Sequence, residues 1–424
     1  MEPVVMTAGD PPLCDQQLTA ALLTPIGRGA VATIRLQGDL DSLAARGKRG
    51  QTLSGHTISK SNQLPSKGSD PFCHGLLGLA EIPFRAANGK ALSQQPVGRI
   101  VFGNWGQNSA DSEDVVVCRV TPQALEIHCH GGDAAVRRIL NDLQHIGCQV
   151  MDWTSQSQHF RGIFETECLM ALSRATTWKT AEILYEQCHG LLRQSLSDLL
   201  NVSATETELK SRVDELLRWS SLGIHLSQPW TVVLSGRPNV GKSSLINALL
   251  GYERAIVFDQ PGTTRDVVTA ETAFDGWPVQ LTDTAGLRET SEELEAAGIA
   301  LTRQKLEVAD LRLILIDLSE PPLPDDEELL AEWPDAIVVA HKCDLTDQWH
   351  DRLPRHAIKV SSTVGTGLAE LQSLIVNRLV PHTPLPGTAI PVTQRQVDEL
   401  KTARDAVSAG DFLVFRQAVE RILS

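Results

Sequence analysis

The spacing of apolar residues divides the chain into stretches of different character. Val31-Ala-Thr-Ile-Arg-Leu36 follows a tight Gly27-Arg28-Gly29 turn and has the alternation of a half-buried strand. Further strands are predicted near Gly98–Phe102 and Asp114–Val120, and at Ala124–His130, which runs into Gly131-Gly132. From Asp133 to Gly147 the apolar positions Val136, Ile139, Leu140 and Leu143 recur three and four apart, which predicts a helix. Residues 42–98 are rich in Gly, Ser, Pro and Lys and read as loops around short elements. This first stretch, 1–150, reads as α+β.

Between 160 and 225 the pattern turns helical, through Leu169, Leu172, Ile183, Leu184, Leu191, Leu192, Leu196 and Leu199, then Leu209, Val213, Leu216 and Leu217. At Trp230 it changes again. Short apolar runs at Thr231–Ser235, Val279–Asp283, Leu311–Asp317, Ala336–Ala340 and Ala357–Val360 read as strands with helices between them. That alternation predicts a doubly wound α/β sheet ending near Leu379. A Pro-rich joint, Pro381–Pro391, leads to a last helical stretch, Thr393–Leu423. The predicted organisation is an α+β domain over 1–150, a helical domain over 151–227 and 381–424, and an α/β domain over 228–380 inserted between its two parts.

Composition narrows the picture. With 42% hydrophobic and 21% charged residues in 424, the chain can bury several cores. A net charge of −14 argues against a protein that coats nucleic acid, because phosphate contacts need clustered Lys and Arg. No run approaches the roughly 18 apolar residues of a membrane span. The acidic Met1–Asp10 lacks the basic start of a secretory signal. The 8 cysteines form no Cys-x-x-Cys and read as reduced thiols, so the expected location is cytoplasmic.

The α/β stretch carries the chemistry. Gly236-Arg-Pro-Asn239-Val240-Gly241-Lys242-Ser243-Ser244 fits the phosphate-binding loop pattern, between an apolar strand and a predicted helix. Its backbone N–H groups cradle phosphates, Lys242 reaches the β- and γ-phosphates, and Ser243 binds Mg²⁺. About 40 residues on, Asp283-Thr284-Ala285-Gly286 ends a strand with the carboxylate that organises Mg²⁺, and Gly286 is free to donate its N–H to a γ-phosphate. Between them, Gly262-Thr263-Thr264-Arg265-Asp266 offers a threonine, Thr264, to the Mg²⁺ shell when a γ-phosphate is present. After a buried strand come His341-Lys342-Cys343-Asp344, where the Asp344 carboxylate can accept from guanine's ring N–H and amino group and Lys342 can lie along the base. His341 stands where Asn is usual; it can bond the loop or the purine, and weakened affinity is expected. Ser361 and Ser362 weakly match a loop that meets the guanine carbonyl. The nucleotide is therefore GTP.

These motifs in this order resemble the translation-factor-like GTPases, and the longer strings resemble the MnmE (TrmE) family of tRNA-modification GTPases. The strings are Gly236–Asn247, Ala255–Asp266 and Asp283–Arg288, joined outside the α/β stretch by Thr24–Arg35 and Leu125–Gly132. The resemblance implies an N-terminal domain that forms a homodimer and holds 5-formyl-tetrahydrofolate, with Arg35 at the matching position. It implies K⁺ as well as Mg²⁺, with Asn239, Phe258, Gln260 and Thr263 around the potassium. It implies a water-orienting glutamate twelve residues past Asp283, which is Glu295. The residue after Gly286 is Leu287, which cannot orient water. It further implies an MnmG-like flavoprotein partner and tRNA as the object of wobble-uridine modification by carboxymethylaminomethyl addition.

The resemblance departs on the folate side. The chain closes Arg421-Ile-Leu-Ser424 where the family has Cys-x-Gly-Lys, and Val120-Thr-Pro-Gln123 lacks the family's acids. Gln158–Phe164 is at best a remnant of another family stretch. The alternative expectation is a divergent paralogue, a dimeric GTP-dependent switch or interaction protein without modification chemistry. His128 and His130 share a strand face, but with no third ligand nearby they read as a strand entering a glycine turn.

Overall fold

The computed structural model describes residues 18–24, 29–38, 40, 82–106, 112–201, 204–251, 269–283 and 303–424. Two compact units divide the chain, Met1–Gly162 and Ile163–Ser424.

The first unit is a sheet of β1 (Thr19–Leu22), β2 (Val31–Gln37), β3 (Phe84–Ala86), β4 (Ile100–Trp105), β5 (Glu113–Thr121), β6 (Ala124–His130) and β7 (Gln149–Val150). Their order is β3-β4-β5-β6-β2-β1-β7. Every pairing is antiparallel except β1 with β7. Strand alternation sends Ile34, Leu36, Ile127 and Cys129 inward, where Ile139 and Leu143 of helix α1 (Asp133–His145) meet them. Trp105 is buried in the same core, and its indole N–H donates to Asp142. Helix α2 (Trp153–Arg161) starts at Asp152, whose carboxylate accepts from the Thr154 and Ser155 backbone N–H groups. The buried Gln156 amide donates to Thr19 Oγ1 at 2.9 Å and to the Arg35 carbonyl at 3.2 Å. Helix α2 thus belongs to the first unit, which runs to Gly162.

The second unit begins with α3 (Ile163–Ser173), α4 (Trp178–Cys188), α5 (Leu191–Asn201), α6 (Glu206–Arg218) and α7 (Ser220–His225). There follow β8 (Trp230–Ser235), α8 (Lys242–Leu250), β9 (Thr269–Phe274), β10 (Trp277–Asp283), β11 (Leu311–Asp317), α9 (Pro324–Glu332), β12 (Ile337–His341), β13 (Ile358–Val360) and α10 (Leu368–Leu379). Helices α11 (Gln394–Ser408) and α12 (Phe412–Leu423) close the chain. The sheet order is β13-β12-β11-β8-β10-β9. It is parallel except for the β9–β10 hairpin. The hairpin, absent from the sequence reading, turns on Asp275-Gly276. Both residues carry positive φ, +49° and +80°, the backbone that a two-residue turn of this hand demands.

The early and late helices share one core, with Leu184, Leu192, Val213, Leu400, Phe415 and Val419 packed together. Helix α11 packs on α6 and α12. Trp230 and Trp277 open two sheet strands yet lie in this helical core. The hairpin tip is held by α4: the Thr177 hydroxyl donates to the Gly276 carbonyl at 2.7 Å, and Lys179 Nζ donates to the Asp275 carbonyl at 2.6 Å. Among the described residues no helix is long and apolar enough to cross a membrane, and the six described cysteines are free.

Candidate active site

The site lies where β8, β10, β11 and β12 end on the same side of the sheet, the position in which open α/β sheets bind ligands. Val240 is buried in the sheet core and anchors the phosphate loop between β8 and α8. Asn239 holds φ +60°, and Gly241 holds φ +102° at the start of α8. A Cβ on Gly241 would stand 2.4 Å from the His341 ring, so glycine is required there twice over.

Lys242 is 5% exposed, and its ammonium donates to the Gly236 and Arg237 carbonyls, both at 2.9 Å. This folds the lysine back over its own loop, with its charge on the phosphate-binding side. The Ser243 hydroxyl donates to Asp283 Oδ2 at 2.6 Å, bringing together two groups 40 residues apart. Hard oxygen donors at that spacing suit Mg²⁺, which takes one or two protein oxygens and keeps the rest for water and phosphate. Ser244 is exposed at the start of α8, where backbone N–H groups favour an anion.

The base side is built from three loops. His341 ends β12 and is 3% exposed. Its Nδ1 lies 2.8 Å from the Val240 carbonyl and its Nε2 2.7 Å from the Ser362 hydroxyl. Burial pushes its pKa below the ordinary histidine value, although the bond to the Val240 carbonyl works the other way. Lys342 Nζ donates to the Asn239 carbonyl at 3.2 Å and to Asp317 Oδ2 at 2.5 Å. Burial works against ionisation of Asp317, yet hydrogen bonds from Lys342 and Ser319 hold its carboxyl below the usual aspartate range. Asp344 is exposed, and a hydrogen bond from Ser361 keeps its carboxyl below that range too. Ser361 is fully buried and accepts from the Thr363 and Val364 backbone N–H groups.

The structure therefore brings Asn239, Val240, Lys242, Ser243 and Asp283 into one site with His341, Lys342, Asp344, Ser361 and Ser362. Phe258, Gln260, Thr263, Thr264, Thr284, Ala285, Gly286 and Glu295 lie outside the described residues. Two supports escaped the sequence reading. Asp317 anchors Lys342, and Arg237 is pinned by the buried Asp326 at 3.0 Å and by Glu320 at 2.8 Å. An aspartate closing β11 as Asp283 closes β10 was the available signal for the first; nothing local marks the second.

Arg35 lies in the other unit. It points to the side of the sheet away from α1, with its Nη2 2.5 Å from Glu126. Thr33 and His128 bond beside it at 3.0 Å. The Arg35 Nε–H is buried and has no hydrogen-bond partner among the described residues. His130 pairs with Glu113, and no described cluster of three metal-ligating side chains exists.

The chain is similar to known GTPases. Residues 231–342 match a family model described as a 50S ribosome-binding GTPase. The chain is 30% identical to the tRNA modification GTPase MnmE of Streptococcus suis (strain 05ZYH33) over 397 residues, 84% of this chain and 79% of that one. It is also 30% identical to that of Synechococcus sp. (strain WH7803), over 93% of this chain and 88% of that one. A solved structure of Aquifex aeolicus Era bound to GDP and AlF4⁻ is 30% identical, covering 42% of this chain and 66% of that one at a TM-score of 0.29, too low to bear on the assignment. The likeness to the MnmE proteins extends well beyond the nucleotide site at both ends, and this chain is a GTPase that belongs to the MnmE family.

Proposed function

We propose that the chain couples GTP hydrolysis to modification of the tRNA wobble uridine, adding a carboxymethylaminomethyl group together with an MnmG-like flavoprotein. In this reading Lys242 and the α8 N-terminus hold the phosphates. Ser243 and Thr264 hold Mg²⁺, which neutralises charge on the β- and γ-phosphate oxygens when bound. Asp283 orients that shell. Asp344 reads guanine, with Lys342 along the base. Asn239, Phe258, Gln260 and Thr263 surround K⁺, and Glu295 orients water in place of Leu287. The observation that supports the GTP and Mg²⁺ part of the reading is the Ser243–Asp283 contact at 2.6 Å beside the buried Lys242, which joins two motifs 40 residues apart.

The shared core of α3–α7 with α11 and α12 supports a single helical domain interrupted by the GTPase sheet. We read the first unit as the homodimerising domain. For 5-formyl-tetrahydrofolate, the adjacent Arg35 guanidinium and Glu126 carboxylate, with one N–H unpartnered among the described residues, suit the mixed donor and acceptor edge of a pterin. The second reading, a dimeric GTP-dependent switch without modification chemistry, is favoured by the β5–β6 connection, a two-residue turn at Pro122-Gln123 that carries no acid.

Complementation of an MnmE-deficient strain, scored by mass spectrometry of tRNA nucleosides, separates the two. Restored modified uridine supports the first reading, and its absence alongside GTPase activity supports the second. Steady-state GTPase rates in K⁺ and in Na⁺ test the potassium site; equal rates would remove it.

A further inference from the structure

The sequence departs from the usual guanine-reading motif at His341, and the structure gives that histidine two partners inside the protein. The Val240 carbonyl can only accept, so the Nδ1 that faces it carries a hydrogen. In the neutral ring Nε2 then holds a lone pair, and the Ser362 hydroxyl donates to it. Were the ring charged, both nitrogens would donate to the same two oxygens, so in either form both are engaged. The ring lies against Gly241, within 2.4 Å of where a Cβ would sit, and the residue is 3% exposed, so the ring has no room to swing toward a nucleotide.

We propose that His341 is a positioning residue that ties the phosphate loop to the Ser361–Ser362 loop, and that guanine in this protein is held without a contact from this side chain to its N7 atom. The purine is left to Asp344, which faces guanine's two donors, and to the stem of Lys342. This deepens the guanine-reading role given to Asp344 and rests on it. Guanine offers N7 and O6 as acceptors and its ring N–H and amino group as donors; the His341 ring leaves N7 unread, and Asp344 takes the donor side.

The test uses the full chain with GDP, ADP and 7-deaza-GDP, in which a C–H replaces N7. Dissociation constants come from titration calorimetry. Wild type is expected to bind GDP and 7-deaza-GDP within about 2-fold of each other. Ser362→Ala removes one arm of the tie and should weaken both by the same factor, about 3- to 10-fold, the usual effect of one lost hydrogen bond. His341→Ala should weaken both further and equally. His341→Asn places a carboxamide nitrogen near the Nδ1 position and should recover the Val240 arm, so its loss should be smaller than that of His341→Ala. In steady-state assays these losses should appear in KM with kcat unchanged, as expected for a residue that does not touch the reacting phosphate.

A 5-fold or greater loss for 7-deaza-GDP in wild type that disappears in His341→Ala would overturn the proposal, because the ring would then read N7 directly. Wild-type affinity in both Ser362→Ala and His341→Ala would also overturn it, since the tie would carry nothing. Equal binding of GDP and ADP by wild type would instead bring down guanine reading at Asp344, and the proposal with it.

Discussion

The nucleotide site of the second unit and the polar face of the first unit both gather charged side chains on a sheet, but in different ways. At the nucleotide site, parallel strands end together and deliver short loops, so each functional group comes with its own contiguous string of residues. Lys242 and Ser243 follow β8, Asp283 ends β10, and His341 ends β12 with Lys342 to Asp344 after it. On the first unit's outer face, Arg35, Glu126, Thr33 and His128 meet in the middle of antiparallel strands. Register alone unites them, pairing Arg35 with Glu126 and Thr33 with His128. A loop site is spelled along the chain; a strand face is spelled across it.

The contrast predicts where substitutions act. The largest effect is expected at Lys242, where alanine removes a buried cation from the phosphate site and should cut the GTPase kcat/KM by about 10²–10³-fold. Arg35→Ala should leave the same rate within about 2-fold, and a comparable loss in the two variants would erase the distinction. Asp344→Asn comes next. It turns a double acceptor into a mixed donor and acceptor, and should shift preference from GTP toward xanthosine triphosphate by about 10²-fold in competition binding. An unchanged preference would remove Asp344 from base reading.

A smaller effect follows from pH. The folded pKa of His341 lies below the ordinary 6.5, so as pH falls the unfolded chain takes up the proton first. The stability from the neutral ring is therefore complete above about pH 6.5 and is lost as pH falls from there through the folded value. Thermal melts of wild type and His341→Gln should converge between pH 7.5 and 5.5; a gap that widens would contradict the assigned direction. The smallest effect belongs to the strand face. Arg35→Ala breaks a partly exposed ion pair and should cost about 1 kcal/mol or less in urea unfolding. A loss of several kcal/mol would mean that the face is a structural core and not a surface awaiting a ligand.

The same contrast explains what the sequence made legible. Strands β8, β10, β11, β12 and β13 lie where short apolar runs place them, and the phosphate loop follows its strand, because local pattern and local chemistry coincide there. The β9–β10 hairpin is not marked by an apolar run on its β9 arm, Thr269–Phe274, and Asp275-Gly276 is its one local turn signal. The Arg35–Glu126 pair was invisible: 91 residues separate the partners, and only register joins them. His341 looked like a weakened base reader; its two partners, 101 and 21 residues away, exist only once three loops have met.

The two buried tryptophans give the sheet a mechanical property. Strands β8 and β10 run parallel and in register, Trp230 opposite Val279, and each begins with an indole in the helical core and ends at the candidate nucleotide site. An extended strand has almost no slack along its axis, and the seven residues of β10 span roughly 20 Å at about 3.3 Å each. Such a strand is stiff along its axis, so an axial shift of Asp283 would arrive at Trp277 nearly undiminished. There it meets a close-packed interior of low compressibility, with the Asp275-Gly276 tip already gripped by Thr177 and Lys179. Displacement at the phosphate end would thus reach α4 as load on packed rings.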